Sequence, residues 1–238
     1  MTNRWEDLLV VQEHDTHADQ LAHRKESLPA RAELDKVMAQ IGAAESGSAE
    51  VEAQRHELGR AQQRLEDEIA SLSGKAGEHD KQLYSGAIAN PRDLQSLQDE
   101  IAALRRRIGQ LEDQELELME QIEPLDADLA RLSADRIELD EQATRLRASI
   151  AEEEVVLDGQ LEAVRSERVA AAGRVEPDLL AEYERLRTRA GGIAIARLVG
   201  GSCGGCHLGL SAVEVDRIKR LPPDEPVHCE ECGRLLAR

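Results

Sequence analysis

The sequence predicts a mainly α protein: a long antiparallel two-helix coiled-coil hairpin followed by a small cysteine-bearing C-terminal domain. Three observations predict it. Leucine returns with a seven-residue period at 97, 104, 111, 118, 125, 132, 139 and 146. A turn-like stretch, Leu83 to Pro91, separates two segments of nearly equal length. The four cysteines, the only ones present, fall into two C-x-x-C pairs near the C-terminus. Composition agrees. There is no Phe, one Trp and two Tyr, so the large rings that fill a globular core are nearly absent. A third of the residues are charged, as in long helices and coiled coils.

Residues 3–83 are helix-forming, with apolar residues at wide spacing. Leu21 and Leu28 lie one heptad apart, as do Val51, Leu58, Leu65 and Leu72. Gly42, Gly47, Gly59, Gly74 and Gly77 weaken the pattern. At the turn, Asn90 suits an N-cap, Pro91 the first helical position and Asp93 the first turn, so a new helix starts there.

Residues 91–172 carry the clearest period. Leucine holds position d, and position a reads Leu94, Ile101, Ile108, Glu115, Ile122, Leu129, Arg136, Ala143, Ile150, Leu157 and Val164. A strict heptad keeps one apolar seam against a partner helix. Glu115 and Arg136 interrupt the seam as register devices or snorkelling side chains. The partner is the first arm: segments of near-equal length joined by a short turn fold back on each other. Each arm would reach roughly 120 Å if straight. Symmetric pairing about the turn sets Pro124 against residue 50, beside the Gly42–Ser48 stretch. A kink shared by 42–50 and 124 is expected.

Beyond Gly173, Glu176-Pro177-Asp178 opens a short third helix that stops at Gly191-Gly192. Residues 193–199 read as a strand. Ser211 to Glu214 is a capping box for a helix of about two turns, and 226–228 read as a short strand. The chain thus divides into residues 1–173, the hairpin, and 174–238, the short helix with the cysteine domain.

Cys203-Gly-Gly-Cys206 and Cys229-Glu-Glu-Cys232 have 22 residues between them. Each pair sets two sulfurs on one side of a tight turn, and two pairs complete a tetrahedron around one Zn²⁺. Gly204, Gly205 and Gly233 let the backbone curl under the metal. A redox dithiol or two disulfides are the competing readings. Four sulfurs leave no open position for a catalytic water, so the zinc is structural.

Net charge is −18. Residues 174–238 balance ten basic against ten acidic side chains, so the excess sits in residues 1–173, which should repel nucleic acid. No signal pattern and no transmembrane-length run appear, and reduced, metal-bound thiols suit a cytoplasm.

The ordered combination resembles the bacterial coiled-coil-hairpin proteins with a C-terminal C4-type zinc ribbon, a nucleic-acid-binding zinc-ribbon family. The matching stretches are residues 90–101 at the hairpin turn, Tyr183-Glu-Arg-Leu-Arg187, Cys203-Gly-Gly-Cys-His207, and Cys229-Glu-Glu-Cys-Gly-Arg-Leu-Leu236. The Ala/Arg-rich usage is similar to that of an actinobacterial branch. The resemblance implies Cys203, Cys206, Cys229 and Cys232 as zinc ligands and an RNA or DNA role. Some members are linked to flagellar gene control, through messenger RNA or an alternative sigma factor. Two departures stand out: Glu230 follows the cysteine where the family commonly has proline, and no aromatic closes the chain.

Two functions follow. The first is nucleic-acid binding, RNA or DNA, through the ribbon end, in the regulation of gene expression. Arg185, Arg187, Arg189, Arg197, Arg217, Lys219, Arg220, Arg234 and Arg238 are the candidate phosphate contacts. Each has a plainer reading as helix-end compensation or a salt-bridge partner. The second is a protein adaptor or chaperone, whose acidic coil meets a protein partner. An enzyme is not expected. His14, His17, His23, His56 and His79 lie on the coil, His207 and His228 flank zinc cysteines, and no phosphate loop or nucleophile motif appears. The turn at 84–91 lacks cysteine, which rules out a zinc hook. Neither a membrane contact nor a particular oligomeric state is implied.

Overall fold

The computed structural model describes residues 4–238. Helix α1 runs Arg4–Glu26, α2 Pro29–Tyr84, α3 Pro91–Ala172 and α4 Pro177–Arg189. Strand β1 (Ile195–Val199), strand β2 (Ser202–Cys203), helix α5 (Ala212–Arg220) and strand β3 (Leu235–Ala237) follow.

The first arm is two helices where one was expected. Pro29 disfavours helical backbone at Leu28 and lacks the N–H that an unbroken helix would use. The Ser27 amide and hydroxyl both donate to the His23 carbonyl, at 2.9 and 2.7 Å, and close α1. Pro29 then serves as the first residue of α2. At the other end of α2 the expected cap forms: Asn90 Oδ1 accepts from the Arg92 amide at 3.1 Å, and α3 begins.

Packing divides the chain into two compact units that differ from the sequence division at 173/174. One is Leu34–Arg145; the other joins the residues up to Glu33 with Leu146–Arg238.

In the unit 34–145, α2 and α3 pair antiparallel. Val37, Ile41, Leu97, Ile101, Leu111, Ile122 and Ala143 are buried along the seam. Glu45–Arg136 (3.0 Å), Arg55–Asp126 (3.0 Å), Glu68–Arg107 (3.1 Å) and Asp80–Arg105 (2.6 Å) cross it. Arg136 lies outside the apolar seam and bonds across to Glu45, and Glu115 is half-buried. Gly47 packs against Leu132, and Arg55 faces Asp126, so the register departs from symmetric pairing and Pro124 lies opposite the turn of Arg55. Helical backbone runs unbroken through Gly42–Ser48 and through Pro124.

In the other unit, β1 is central to a three-stranded sheet ordered β2-β1-β3. It runs antiparallel to β2 and parallel to β3, with Ile195 opposite Leu235 and Ala196 opposite Leu236. Alternation along a strand sends neighbours to opposite faces. Ile195, Leu235 and Ala237 join a core with Trp5, Leu8 and Val11 of α1, Ala171 of α3, Val175, and Leu179 and Tyr183 of α4. Ala196 and Leu236 join a second core with Ile218 of α5, Val227, Cys203 and Cys229. The N-terminal helix therefore packs with the cysteine domain as well as with the coil. The expected strand at 226–228 is reduced to a single bridge, His228 with Leu235.

Candidate metal centre and its surroundings

The cysteines converge. Cys203 ends β2 and Cys206 lies in the loop that follows it, and the segment before β3 carries Cys229 and Cys232. All four Sγ atoms lie within 4.8 Å of one another. Cys203 to Cys232 and Cys206 to Cys229 are each 3.9 Å. A tetrahedron with metal–sulfur bonds of about 2.3 Å has edges of about 3.8 Å, so the donor set fits Zn²⁺. The two pairs share one local geometry. The His207 amide donates to the Cys203 carbonyl and the Gly233 amide to the Cys229 carbonyl, each at 2.8 Å. Both donors have left-handed backbone, φ 63° at His207 and 73° at Gly233. The Gly205 amide also points at Cys203 Sγ, at 3.4 Å. A Cβ at Gly205 would come 2.7 Å from Arg234 Cδ and 3.1 Å from Ala196 Cβ, which explains a glycine there.

Burial pushes the Cys229 thiol up to about 12. Burial works the same way at Cys232, but the backbone N–H and side chain of Arg234 and the neighbouring thiols outweigh it and hold that thiol down at about 7. Metal binding must displace these protons, so zinc affinity falls with acid. His228 Nε2 lies 3.0 Å from Glu182 Oε1, which ties the second cysteine pair to α4.

The candidate phosphate contacts are largely engaged. Arg187 holds Asp19 at 2.8 Å through one guanidinium nitrogen, and Arg197 grips Glu6 through two bonds of 2.6 and 2.7 Å. Arg217 is bidentate on Glu214 at 2.6 and 2.7 Å, and Arg220 pairs with Asp216. Arg234 donates to the carbonyls of Ile193 and Ala190, and Arg238 to those of Ile218, Leu221, Pro222, Pro223 and Glu225. Among the described residues Arg185 reaches only its own helix, at the Ala181 carbonyl. Arg189 and Lys219 make no ion pair or side-chain hydrogen bond among the described residues. Ser211 caps α5 by accepting from the Glu214 amide at 3.2 Å, as its sequence predicts, while the Glu214 carboxylate turns to Arg217.

A polar network on α1 escaped the sequence reading. Gln12 accepts from the Ala194 amide at 2.6 Å and donates to the Gly192 carbonyl at 2.9 Å. Asp15 accepts from Tyr183 Oη at 2.8 Å and from Arg168 Nε at 3.1 Å, and Arg168 also binds Glu184. Burial, with the Asp15 bond behind it, raises the Tyr183 phenol far above its usual range. Trp5 Nε1 donates to the Pro223 carbonyl at 2.8 Å. The available signal was the stripe itself: 5, 8, 12 and 15 share one helical face, and two of the four are polar.

A family profile for the CT398-like coiled coil hairpin domain matches residues 11–191. The chain belongs to that family. A second profile, for a C4-type zinc ribbon domain, matches residues 202–236 and takes in all four cysteines, which hold one structural zinc ion. Among relatives, the uncharacterized protein Rv2229c of Mycobacterium tuberculosis is 32% identical over 97% of this chain and 94% of its own. A solved structure from Mycobacterium smegmatis superposes with a TM-score of 0.90 at 28% identity, covering 99% of this chain and 97% of that one. CT398 from Chlamydia trachomatis shares the fold, with a TM-score of 0.74 at 21% identity over 98% and 97% of the two chains. No helix among the described residues is long and apolar enough to cross a membrane.

Proposed function

We propose that the protein is a non-catalytic adaptor that binds a protein partner, with zinc stabilising its head and the acidic coil offering contact surface. One observation carries the reading. Of the eight candidate cations between Arg185 and Arg234, Arg187, Arg197, Arg217 and Arg220 are already held by carboxylates of the chain and Arg234 by two backbone carbonyls. Binding phosphate through them would first break those bonds, whereas nucleic-acid sites present cations that are free to neutralise phosphate. A zinc filled by four thiolates leaves nothing for substrate chemistry, which suits an adaptor. We infer a cytoplasmic setting, which suits thiols kept reduced and metal-bound.

The test is binding of zinc-loaded, full-length protein to a random RNA pool and to a DNA duplex, each at low and high salt. The adaptor reading expects at most weak association, and it expects complexes with a protein partner to survive nuclease treatment. Tight nucleic-acid binding that collapses with salt would overturn it. So would loss of that binding on charge reversal at Arg185, Arg189 and Lys219, which make no ion pair and no side-chain bond beyond their own helix among the described residues.

A further inference from the structure

We propose that the α3 face bearing Leu116 and Met119 docks a basic amphipathic helix of a partner protein; this deepens the adaptor reading and rests on it. Leu116 and Met119 are 57% and 47% exposed, although they lie beside the buried Ile122 of the seam. With Gln62 of α2 and with Glu120, Glu123 and Asp126 they line a groove of about 510 Å³. Glu112, Leu116, Met119, Glu120 and Glu123 recur at helical spacing, so two apolar side chains sit within a frame of carboxylates on one face.

The charged residues that line this groove are all acidic. No Lys or Arg occurs on α3 between Arg107 and Arg131, while eight acidic residues do. Asp126 pairs with Arg55 and Asp128 with Arg131. Glu112, Asp113, Glu115, Glu117, Glu120 and Glu123 make no ion pair among the described residues, not even with Arg60 or Arg64 of α2. The other exposed apolar side chain of this unit's α3, Ile137, lies in a different setting: its groove includes Arg145 as well as Asp140 and Glu141. An apolar pair beside Glu120 and Glu123, which no cation of the described residues pairs, is complementary to a helix with apolar residues at i, i+3, i+4 and i+7 and Lys or Arg on its flanks. From Glu112 to Asp126 the face is about 21 Å long, enough for a helix of about four turns.

The probe is a fluorescein-labelled peptide of about five turns with that leucine spacing and Lys/Arg flanks. Two controls accompany it: one of the same composition with the leucines scattered, and one with Glu in place of Lys and Arg. Anisotropy is read on the zinc-loaded full chain. The expected result is at least about tenfold tighter binding of the first peptide than of either control, weakening with salt. Leu116→Ala with Met119→Ala should weaken it about tenfold, and Ile137→Ala should leave it unchanged. Leu116→Gln with Met119→Gln, which keeps these exposed positions soluble, should reproduce the loss. Equal binding of the scattered peptide, or indifference to both double variants, would overturn the proposal. A protein partner that binds both double variants undiminished would overturn this face while leaving the adaptor reading intact. Salt-sensitive RNA binding in place of any protein partner would remove the reading beneath it.

Discussion

Gly205 and His207 sit on either side of Cys206, and the cysteine geometry treats them oppositely. At Gly205 a methyl group would displace Arg234, whose guanidinium holds the Ile193 and Ala190 carbonyls, and would press on Ala196. Gly205→Ala should destabilise the cysteine domain by about 1–3 kcal/mol and weaken zinc retention, measured by competition with a chromogenic chelator. His207 occupies left-handed backbone that Gly233 holds at the equivalent place without strain. His207→Gly should therefore gain up to about 1 kcal/mol in the same assay. Tyr183 supplies a second residue-scale test. Tyr183→Phe removes one of the donors to the buried Asp15 carboxylate, so unfolding followed by the fluorescence of Trp5 should shift by about 1–3 kcal/mol. The four cysteines were legible because their spacing alone specifies a tetrahedral site. Gln12 and Asp15 were not, because a polar residue on a helix reads as solvent-facing until its distant partners at 168, 183 and 194 are known.

At the scale of elements, α3 was legible to its ends. A heptad sustained over many turns, an Asn-Pro start and a glycine stop leave few alternatives. The first arm was less so, since one proline at 29 looks like any loop residue when the flanking pattern continues through Leu21 and Leu28, both of which are indeed buried. Strand β3 was missed altogether. Leu235-Leu236-Ala237 has no strand period of its own and is extended because β1 and the Val227 carbonyl take up its backbone. Within the coil, energy should follow burial and not charge. Leu111 is 1% exposed, and Leu111→Ala should cost the unit 34–145 about 2–5 kcal/mol. Arg136, exposed and paired with Glu45, should cost at most about 1 kcal/mol on replacement by Ala. Helical circular dichroism during urea titration separates the two outcomes, and equal losses would contradict the seam as described.

For the whole molecule, the sequence suggested a stalk that ends at 173 and a separate head. Packing gathers the N-terminal helix, the end of α3, α4 and the cysteine domain into one unit with two adjoining cores. The core on the helical side is apolar and aromatic, with Trp5 and Tyr183. The one on the metal side is small and includes Cys203 and Cys229 among its buried residues, so only it should depend directly on the metal. Chain-wide charge fits this division of labour: the surplus of carboxylates lies before residue 174, while the cations after it are mostly held by neighbours. Hydrogen exchange on the intact protein, with its zinc content assayed and then removed by a chelator, tests the central claim most directly. One zinc per chain is expected, and its removal should open the amides of 195–237 while those of 34–145 stay protected. Less than half an equivalent of zinc in freshly purified protein, or unchanged protection at 195–237 after chelation, would contradict it.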